Sequence, residues 1–267
     1  MLAKATLVKN LPCWQGAPAS VRVLKSGATN IKYLVASGRH RYVARFLGRA
    51  QARYLKLDRR REVSNTKLAH QLGLGPQVVA HYPKHALLVV VYLPGKALDK
   101  RKLNLPRNIL AVGKLLRRLH AGGGFRGRFL VASSIAWFER RMQRDGRMLK
   151  LSRADEQKRA RCLSIIAQRR VHPTRCHIDP MPQNFVTQGS RLKLIDWEYA
   201  AMGDPLWDLA FVSAVGRFTL DNDRLLLRAH GTIITLRLWQ EFRALRARIL
   251  PRGLVGVSAA WTFELTL

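Results

Sequence analysis

Cys176–Ala210 reads CHIDPMPQNFVTQGSRLKLIDWEYAAMGDPLWDLA, and its charge differs from that of the rest of the chain. The whole chain carries 48 Lys and Arg against 16 Asp and Glu, a formal net charge of +32. Because like charges held close together repel, we expect this acidic stretch to bind a cation, either a metal ion or a cationic substrate. Five of the 16 acids fall within it: Asp179, Asp196, Glu198, Asp204 and Asp208.

The spacing at the start of the stretch indicates phosphoryl transfer. His177, Asp179 and Asn184 follow the order and spacing of a kinase catalytic loop. In such loops the Asp accepts the proton of the substrate hydroxyl and the Asn binds magnesium. Asp179 and His177 are therefore the candidate catalytic residues.

The residues after Asn184 predict a hairpin. Strand-forming residues at 185–187 and 192–195 are separated by a turn rich in Gly and Ser. A hairpin returns Asp196 to the side of Asn184, so that an amide and a carboxylate oxygen are expected to bind one ion. Magnesium suits such oxygen ligands, because it keeps several waters and takes other ligands from phosphate.

The motifs HIDPMPQN, LIDWEYA and GDPLWDLA occur in this order and resemble the choline/ethanolamine kinase group of the aminoglycoside phosphotransferase superfamily. Thiamine kinase is a close relative of that group. The resemblance implies an α+β, protein-kinase-like fold with two lobes, and ATP and Mg²⁺ as cofactors. It covers roughly residues 20–228, whereas the arginine-rich segment from 231 onwards departs from the last helices of the family.

The sequence predicts a small lobe followed by a mostly helical lobe. Residues 1–95 are expected to form the N-terminal nucleotide-binding lobe, and residues 96–267 the catalytic and substrate-binding lobe. Alternating or continuous apolar patterns predict five antiparallel strands, and helical periodicity predicts one long helix before residue 95. The strands are expected at 21–24, 31–35, 41–47, 78–81 and 86–92, and the helix at 58–74.

Two backbone segments are candidates for nucleotide contact. Gly27, Thr29 and Asn30 lie in a small turn between the first two strands, where backbone amides can approach phosphates. The family has a nucleotide-covering loop at this point, although only one glycine remains here. The resemblance also places Val91 and Leu93 at the hinge between the lobes, where the backbone contacts adenine.

Arg45 in the third strand is the candidate cation for the ATP phosphates. Protein kinases use Lys at this position, but sequences similar to choline kinases often carry Arg. Glu62 in the long helix is expected to pair with Arg45 and to orient it. A pair within the helix, between Glu62 and Arg59 or Lys67, is the alternative.

The acceptor is predicted to be a cationic alcohol. The resemblance places Glu198 and Tyr199 nearest to its amine, and aromatic faces such as Trp207 attract a quaternary ammonium group. Trp197 and Trp207 are equally well explained as core residues. Choline and ethanolamine are the leading candidates, and thiamine and aminoglycosides are the alternatives.

Other polar residues are assigned to structure. Asp204 and Asp221 are expected to cap helices, and the resemblance gives Asp208 the role of bracing the catalytic loop. His120 and His172 are interpreted as packing or surface histidines.

The composition bounds the remaining possibilities. With 48% hydrophobic residues the chain can bury a core, and its apolar runs are shorter than the roughly 18 residues that span a membrane. The first residues lack the apolar segment of a signal peptide, and three cysteines without metal-type spacing favour the cytoplasm. The excess positive charge is interpreted as solvated helix faces. A non-catalytic nucleotide-binding protein and a polyanion-binding basic protein remain alternatives.

Overall fold

The computed structural model describes residues 2–17, 19–27, 30–48, 57–146 and 152–249. The chain divides into two compact units. The first unit is Met1–Gly95 with Ile195–Glu198, and the second unit is Lys96–Leu194 with Tyr199–Leu267. The short segment Ile195–Glu198 thus belongs to the first unit although it is distant in sequence.

The first unit is built on a five-stranded antiparallel sheet with strand order β1-β2-β3-β5-β4. The sheet confirms the strands expected from the apolar patterns, with ends that differ by up to three residues. Its strands are β1 (Ala19–Gly27), β2 (Asn30–Ser37), β3 (His40–Leu47), β4 (Val78–Tyr82) and β5 (Leu87–Val91).

One face of this sheet carries the core of the first unit. Helix α1 (Leu2–Lys9) and a 3₁₀ turn at Pro12–Trp14 pack against it. The indole N–H of Trp14 donates to the Val8 carbonyl at 2.7 Å, so the chain that joins the helix to the turn is fixed. The buried core residues are Val8, Leu11, Trp14, Tyr33, Val35, Ala44, Phe46, Leu87 and Val89.

Helix α2 (Arg59–Gln71) is the long helix of the first unit. Asp58 caps its N-terminus by accepting from the backbone N–H groups of Arg60 and Arg61, at 2.9 and 3.2 Å. Its buried residues include the polar side chains of Glu62, Asn65 and Thr66. Because buried polar groups need partners, we expect the buried side of α2 to make ionic contacts rather than a purely apolar interface.

The second unit combines two small sheets with helices. Strands β6 (Lys96–Ala97), β8 (Phe185–Gln188) and β9 (Arg191–Leu194) form one sheet, and β7 (Thr174–Cys176) pairs with β10 (Ala201–Gly203) in the other. The described helices are α3 (Lys100–Leu103), α4 (Pro106–His120), α5 (Val131–Arg144), α6 (Arg153–Ala167), α7 (Pro205–Gly216), α8 (Leu220–His230) and α9 (Leu236–Ile249).

The helix caps confirm one prediction and correct another. Asp204 caps α7 by accepting from Leu206 N at 2.9 Å, as expected. The prediction that Asp221 caps α8 is wrong, because Thr219 caps that helix and accepts from Asn222 N at 3.2 Å. Thr and Asp both cap helices well, so the residue type alone does not distinguish a cap from a residue in the first turn.

Helix α9 lies in the segment where the family resemblance was expected to end. It packs against α7 and α6, and Phe242 and Leu245 on it are fully buried. The helical unit therefore continues through residue 249. Within the described ranges, the structure has no helix that combines the length and the apolar character needed to cross a bilayer.

Candidate active site

The loop that follows β7 has a strained backbone. Ile178 adopts φ +71°, a conformation that β-branched residues rarely take. The Asp208 carboxylate accepts from His177 N at 2.7 Å and from Ile178 N at 2.9 Å, while the Trp207 indole donates to Ile178 O at 3.0 Å. Helix α7 thus holds the loop on both sides of Ile178, and the bracing role expected for Asp208 is confirmed.

Asp179 and Asn184 are held at the two ends of the same loop. Asp179 is 8% exposed. Asn184 Nδ2 donates to the Asp179 carbonyl at 3.0 Å. This bond turns the amide nitrogen toward the loop and leaves the amide oxygen as the group suited to a hard cation. The predicted hairpin is confirmed, with Phe185 opposite Leu194.

Asp196 lies between two cations in the first unit. Arg45 Nη1 is 2.8 Å and Lys32 Nζ is 3.3 Å from its carboxylate oxygens. Lys32 was missed by the sequence analysis, and its signal is its place opposite Arg45 in the pairing of β2 with β3. Asn184 belongs to the second unit, so the joint binding of one ion by Asp196 and Asn184 stays a prediction.

Arg45 also contacts two further carboxylates. Its Nη2 is 3.0 Å from Glu62 and 3.1 Å from Glu198, and Arg59 bonds Glu62 as well. The predicted pair of Arg45 with Glu62 is confirmed, and so is the alternative with Arg59. Burial disfavours the charge on Arg45, but Asp196, Glu62 and Glu198 outweigh it, so the pKa of this guanidinium lies above its ordinary value.

These ion pairs correct the interpretation of the acidic stretch. Asp196 pairs with Arg45 and Lys32, and Glu198 also pairs with Arg45. Asp204 accepts from Nε and Nη2 of Arg169 at 2.9 and 3.0 Å. The negative charge of the stretch therefore does not by itself require a bound cation. The balancing bases come from β2, β3 and the segment after α6, which are distant from Asp196 or Asp204 in sequence.

The expected acceptor residues are largely buried. Glu198 is 5% exposed in the first unit, and Tyr199 is 8% and Trp207 2% exposed in the second. Trp207 fixes the loop, and Trp197 packs closely against Gly75. Binding of an acceptor by Glu198, Tyr199 and Trp207 stays a prediction.

The predicted nucleotide segments lie at the ends of strands β1, β2 and β5. Gly27 ends β1 and pairs with Asn30, the first residue of β2, whereas Thr29 lies outside the described residues. Val91 ends β5, and Leu93 follows it. Their contacts with a nucleotide stay predictions.

The sequence model of a phosphotransferase enzyme family (APH) matches residues 20–245, which include the loop, its brace and the cluster around Arg45. The chain belongs to the phosphotransferase enzyme family. The match to this family extends past residue 228, so helix α9 belongs largely to the shared domain rather than to a divergent tail.

Two curated members resemble this phosphotransferase chain over the same length. Protein LicA of Haemophilus influenzae is 30% identical over 165 residues, which are 58% of this chain and 47% of that protein. Thiamine kinase of Escherichia coli O1:K1 is 34% identical over 165 residues, which are 58% of this chain and 54% of that enzyme. The chain thus spans about half the length of the curated relatives it matches.

Solved structures show the same fold. A choline/ethanolamine kinase family protein from Mesorhizobium loti gives a TM-score of 0.75 at 25% identity, over 92% of this chain and 82% of that one. LicA in complex with AMP gives a TM-score of 0.68 at 23% identity, over 98% and 96% of the two chains. The predicted kinase-like α+β fold is confirmed.

Proposed function

We propose that this chain is an ATP- and Mg²⁺-dependent O-kinase that phosphorylates a cationic amino alcohol, with choline or ethanolamine as the first candidates. The observation that carries the proposal is the loop from His177 to Asn184, whose strained backbone Asp208 holds in place. Membership in a phosphotransferase family supports it.

Asp179 is the proposed general base. It accepts the proton of the acceptor hydroxyl as that oxygen bonds the γ-phosphorus and the bond from the γ-phosphorus to the β-phosphate oxygen breaks. Positioning contributes most of the rate in such a transfer. The fixed loop backbone on both sides of Ile178 supplies that positioning for Asp179.

Asn184 and Asp196 are the proposed magnesium ligands. Both offer oxygen donors, and the amide nitrogen of Asn184 is already bound to the loop, so the donor set fits a hard cation. Lys32 and Arg45 place two positive charges beside the Asp196 carboxylate. Magnesium, when bound, neutralises charge on the phosphates.

Arg45 is the proposed phosphate-binding cation, with Lys32 beside it. Glu62 and Glu198 fix the direction of the Arg45 guanidinium. The first unit also carries the turn around Gly27 and the end of β5 at Val91, which we propose to contact the nucleotide. LicA, a protein of the same fold, has been solved with AMP.

The choice of acceptor follows from the relatives and from charge. The choline/ethanolamine kinase family protein from Mesorhizobium loti and the choline kinase LicA from Streptococcus pneumoniae share the fold. Of the two curated relatives described above, the thiamine kinase is the more identical. Choline, ethanolamine and thiamine are all cationic alcohols, and so are aminoglycosides. We propose that Glu198 and Tyr199 favour the amine, with choline and ethanolamine ahead of thiamine.

A substrate panel tests the proposal. The purified protein is given ATP and Mg²⁺ with choline, ethanolamine, thiamine or kanamycin, and ADP release and the phosphorylated product are measured. We expect Mg²⁺-dependent product with choline or ethanolamine. Product with thiamine alone would move the assignment to a thiamine kinase, and Mg²⁺-dependent ATP binding without any product would indicate a non-catalytic nucleotide-binding protein.

Asp179→Asn is the decisive variant. The amide cannot accept the hydroxyl proton, so turnover should fall by about 10²-fold or more. Nucleotide affinity and the unfolding midpoint should stay near those of the wild type. Replacing the exposed His172 by Gln is the matched control on the same unit. An Asp179→Asn protein with near wild-type turnover would refute the assignment.

A further inference from the structure

A row of hydrogen bonds inside the second unit leads to the carboxylate that braces the loop. Thr232 Oγ1 lies 2.7 Å from His230 Nδ1, and His230 Nε2 lies 2.9 Å from His120 Nδ1. His120 Nε2 in turn lies 3.1 Å from Asp208 Oδ2. The row therefore joins the end of α8 to α4 and then to α7.

The proton positions follow from the last member of the row. A carboxylate only accepts, so His120 Nε2 carries the hydrogen toward Asp208, and Nδ1 of a neutral ring accepts. His230 Nε2 must then donate to His120, and His230 Nδ1 accepts the hydroxyl hydrogen of Thr232. We propose that His230 is a positioning residue that acts through His120 to hold Asp208 against the loop, with the hydrogen between the rings on His230 Nε2 and that toward Asp208 on His120 Nε2.

The surroundings of His230 favour its neutral ring. Burial, followed by His120 and Arg117, lowers the pKa of His230 to about 4, against the weaker opposing effect of Asp208. Arg117 lies on α4 beside Gly231, and His120 is 7% exposed. A positive charge on the His230 ring would lie near that guanidinium. The titratable and charged groups that face His230 are Arg117 and His120 from α4 and Asp208 from α7.

A metal ion at the same place is the competing interpretation. A ring nitrogen of His120, Cys176 Sγ and a carboxylate oxygen of Asp208 lie within 4.8 Å of one another. Burial, followed by the nearby Asp208, raises the pKa of the Cys176 thiol well above its ordinary value. Both oxygens of Asp208 also accept backbone N–H groups. The geometry thus favours a proton between His120 and Asp208.

The expected effect of the row from Thr232 to Asp208 on turnover rests on the proposed function. Asp208 holds Ile178 at a positive φ, and Asp179 is the next residue. A shift of the carboxylate would relax that strain and move the Asp179 side chain. Misplacement of a catalytic group by about 1 Å can cost about 10²-fold in rate.

The first experiment observes the rings directly and needs no substrate. Long-range ¹H–¹⁵N correlation spectra of the wild-type protein near neutral pH report the tautomer of each histidine. We expect hydrogen on Nε2 of both His120 and His230. Hydrogen on Nδ1, or an imidazolium, at either residue would overturn the proposal, as would a stoichiometric metal ion found by elemental analysis.

The second experiment uses a matched pair of variants. His230→Phe removes the donor to His120, whereas His230→Gln keeps an N–H that can reach it. We expect kcat to fall about 10- to 100-fold in the Phe variant, with the nucleotide KM changed by less than about threefold. The Gln variant should recover most of the rate. Equal rates in the two variants would overturn the positioning role.

The two proposals fail separately. If the wild-type protein phosphorylates no alcohol but both rings carry hydrogen on Nε2, the proposed function fails and the hydrogen-bond order stands. If the protein is active and the tautomers differ from those expected, the order of the row is wrong while the kinase assignment stands. Thr232→Val gives a further check. Without the hydroxyl that donates to Nδ1, His230 should no longer be held in the tautomer with hydrogen on Nε2.

Discussion

The Arg45 side chain makes more ionic contacts than the sequence motifs predict. One guanidinium contacts Glu62, Asp196 and Glu198, and the first two of these also bind Arg59 and Lys32, respectively. The side chains of Glu62 and Glu198 are nearly inaccessible. At such a site the removal of one charge leaves others buried without a partner.

Arg45→Ala should therefore destabilise the first unit strongly. Uncompensated buried carboxylates cost about 3–5 kcal/mol when a partner is removed. Lys offers a single ammonium point in place of the planar fork, so Arg45→Lys should lose less than Ala but still fall below the wild type. Urea unfolding measures both losses. An unchanged midpoint for Arg45→Ala would show that Lys32 and Arg59 suffice.

His230 predicts a pH dependence of stability. In the unfolded chain it takes up a proton below its ordinary pKa of 6.5, but in the folded unit it stays neutral down to about pH 4. The unfolded state then binds more protons in this window, so the free energy of unfolding should fall from about pH 7 to about pH 4. With allowance for its partial exposure, the loss is roughly 2 kcal/mol.

Urea unfolding at several pH values measures this contribution. The wild-type slope between about pH 7 and about pH 4 should be steeper than that of His230→Gln, which cannot titrate. The two proteins would show parallel slopes if His230 were already charged in the folded state.

Between elements, the contact of α4 with α8 requires a glycine. A Cβ at Gly113 would lie 2.6 Å from Ala229 Cβ and 3.0 Å from the Leu226 carbonyl oxygen. Gly favours a helix less than Ala by about 1 kcal/mol, yet here it permits the close approach. The same approach brings His230 toward His120.

Gly113→Ala should consequently destabilise the second unit although alanine is the better helix former. Overpacking costs about 1–3 kcal/mol, which exceeds the gain in helix propensity. Thermal unfolding measures the loss, and the double variant with Ala229→Gly should recover part of it by removing the nearest atom. A stabilised Gly113→Ala protein would mean that the two helices separate without cost.

The elements themselves were mostly predictable, whereas their ends were less so. Helix α2 was expected at 58–74 and spans Arg59–Gln71, because a cap at Asp58 and a positive φ at Gly73 terminate it. Helix α9 was not anticipated as part of the family domain. Its sequence is rich in arginine, and only its packing on α7 shows that one face is buried.

Across the whole molecule, the charge of +32 predicts loose attraction to polyanions. Exposed bases on the described helices, such as Lys114 and Arg118 on α4, lie where solvent and counterions reach them. Binding to duplex DNA or heparin should weaken steeply as salt rises from about 50 to about 200 mM, and it should not depend on base sequence. Binding measured by fluorescence anisotropy at several salt concentrations checks this.

Sequence-specific binding that persists at high salt would contradict this expectation. It would indicate a built nucleic-acid site in place of a diffuse field. The choice of acceptor in the substrate panel should be unaffected by such weak association. Activity measured with and without heparin provides the control.

The sequence by itself determined the family, the five strands and the long helix before residue 95, and the loop that carries Asp179 and Asn184. Each of these is encoded by residues close together in the chain, through periodicity or motif spacing. Only the tertiary structure decided which cations face Asp196 and that His230 reaches Asp208 through His120. Such contacts join segments far apart in sequence, and the partner of a buried charge is set by packing.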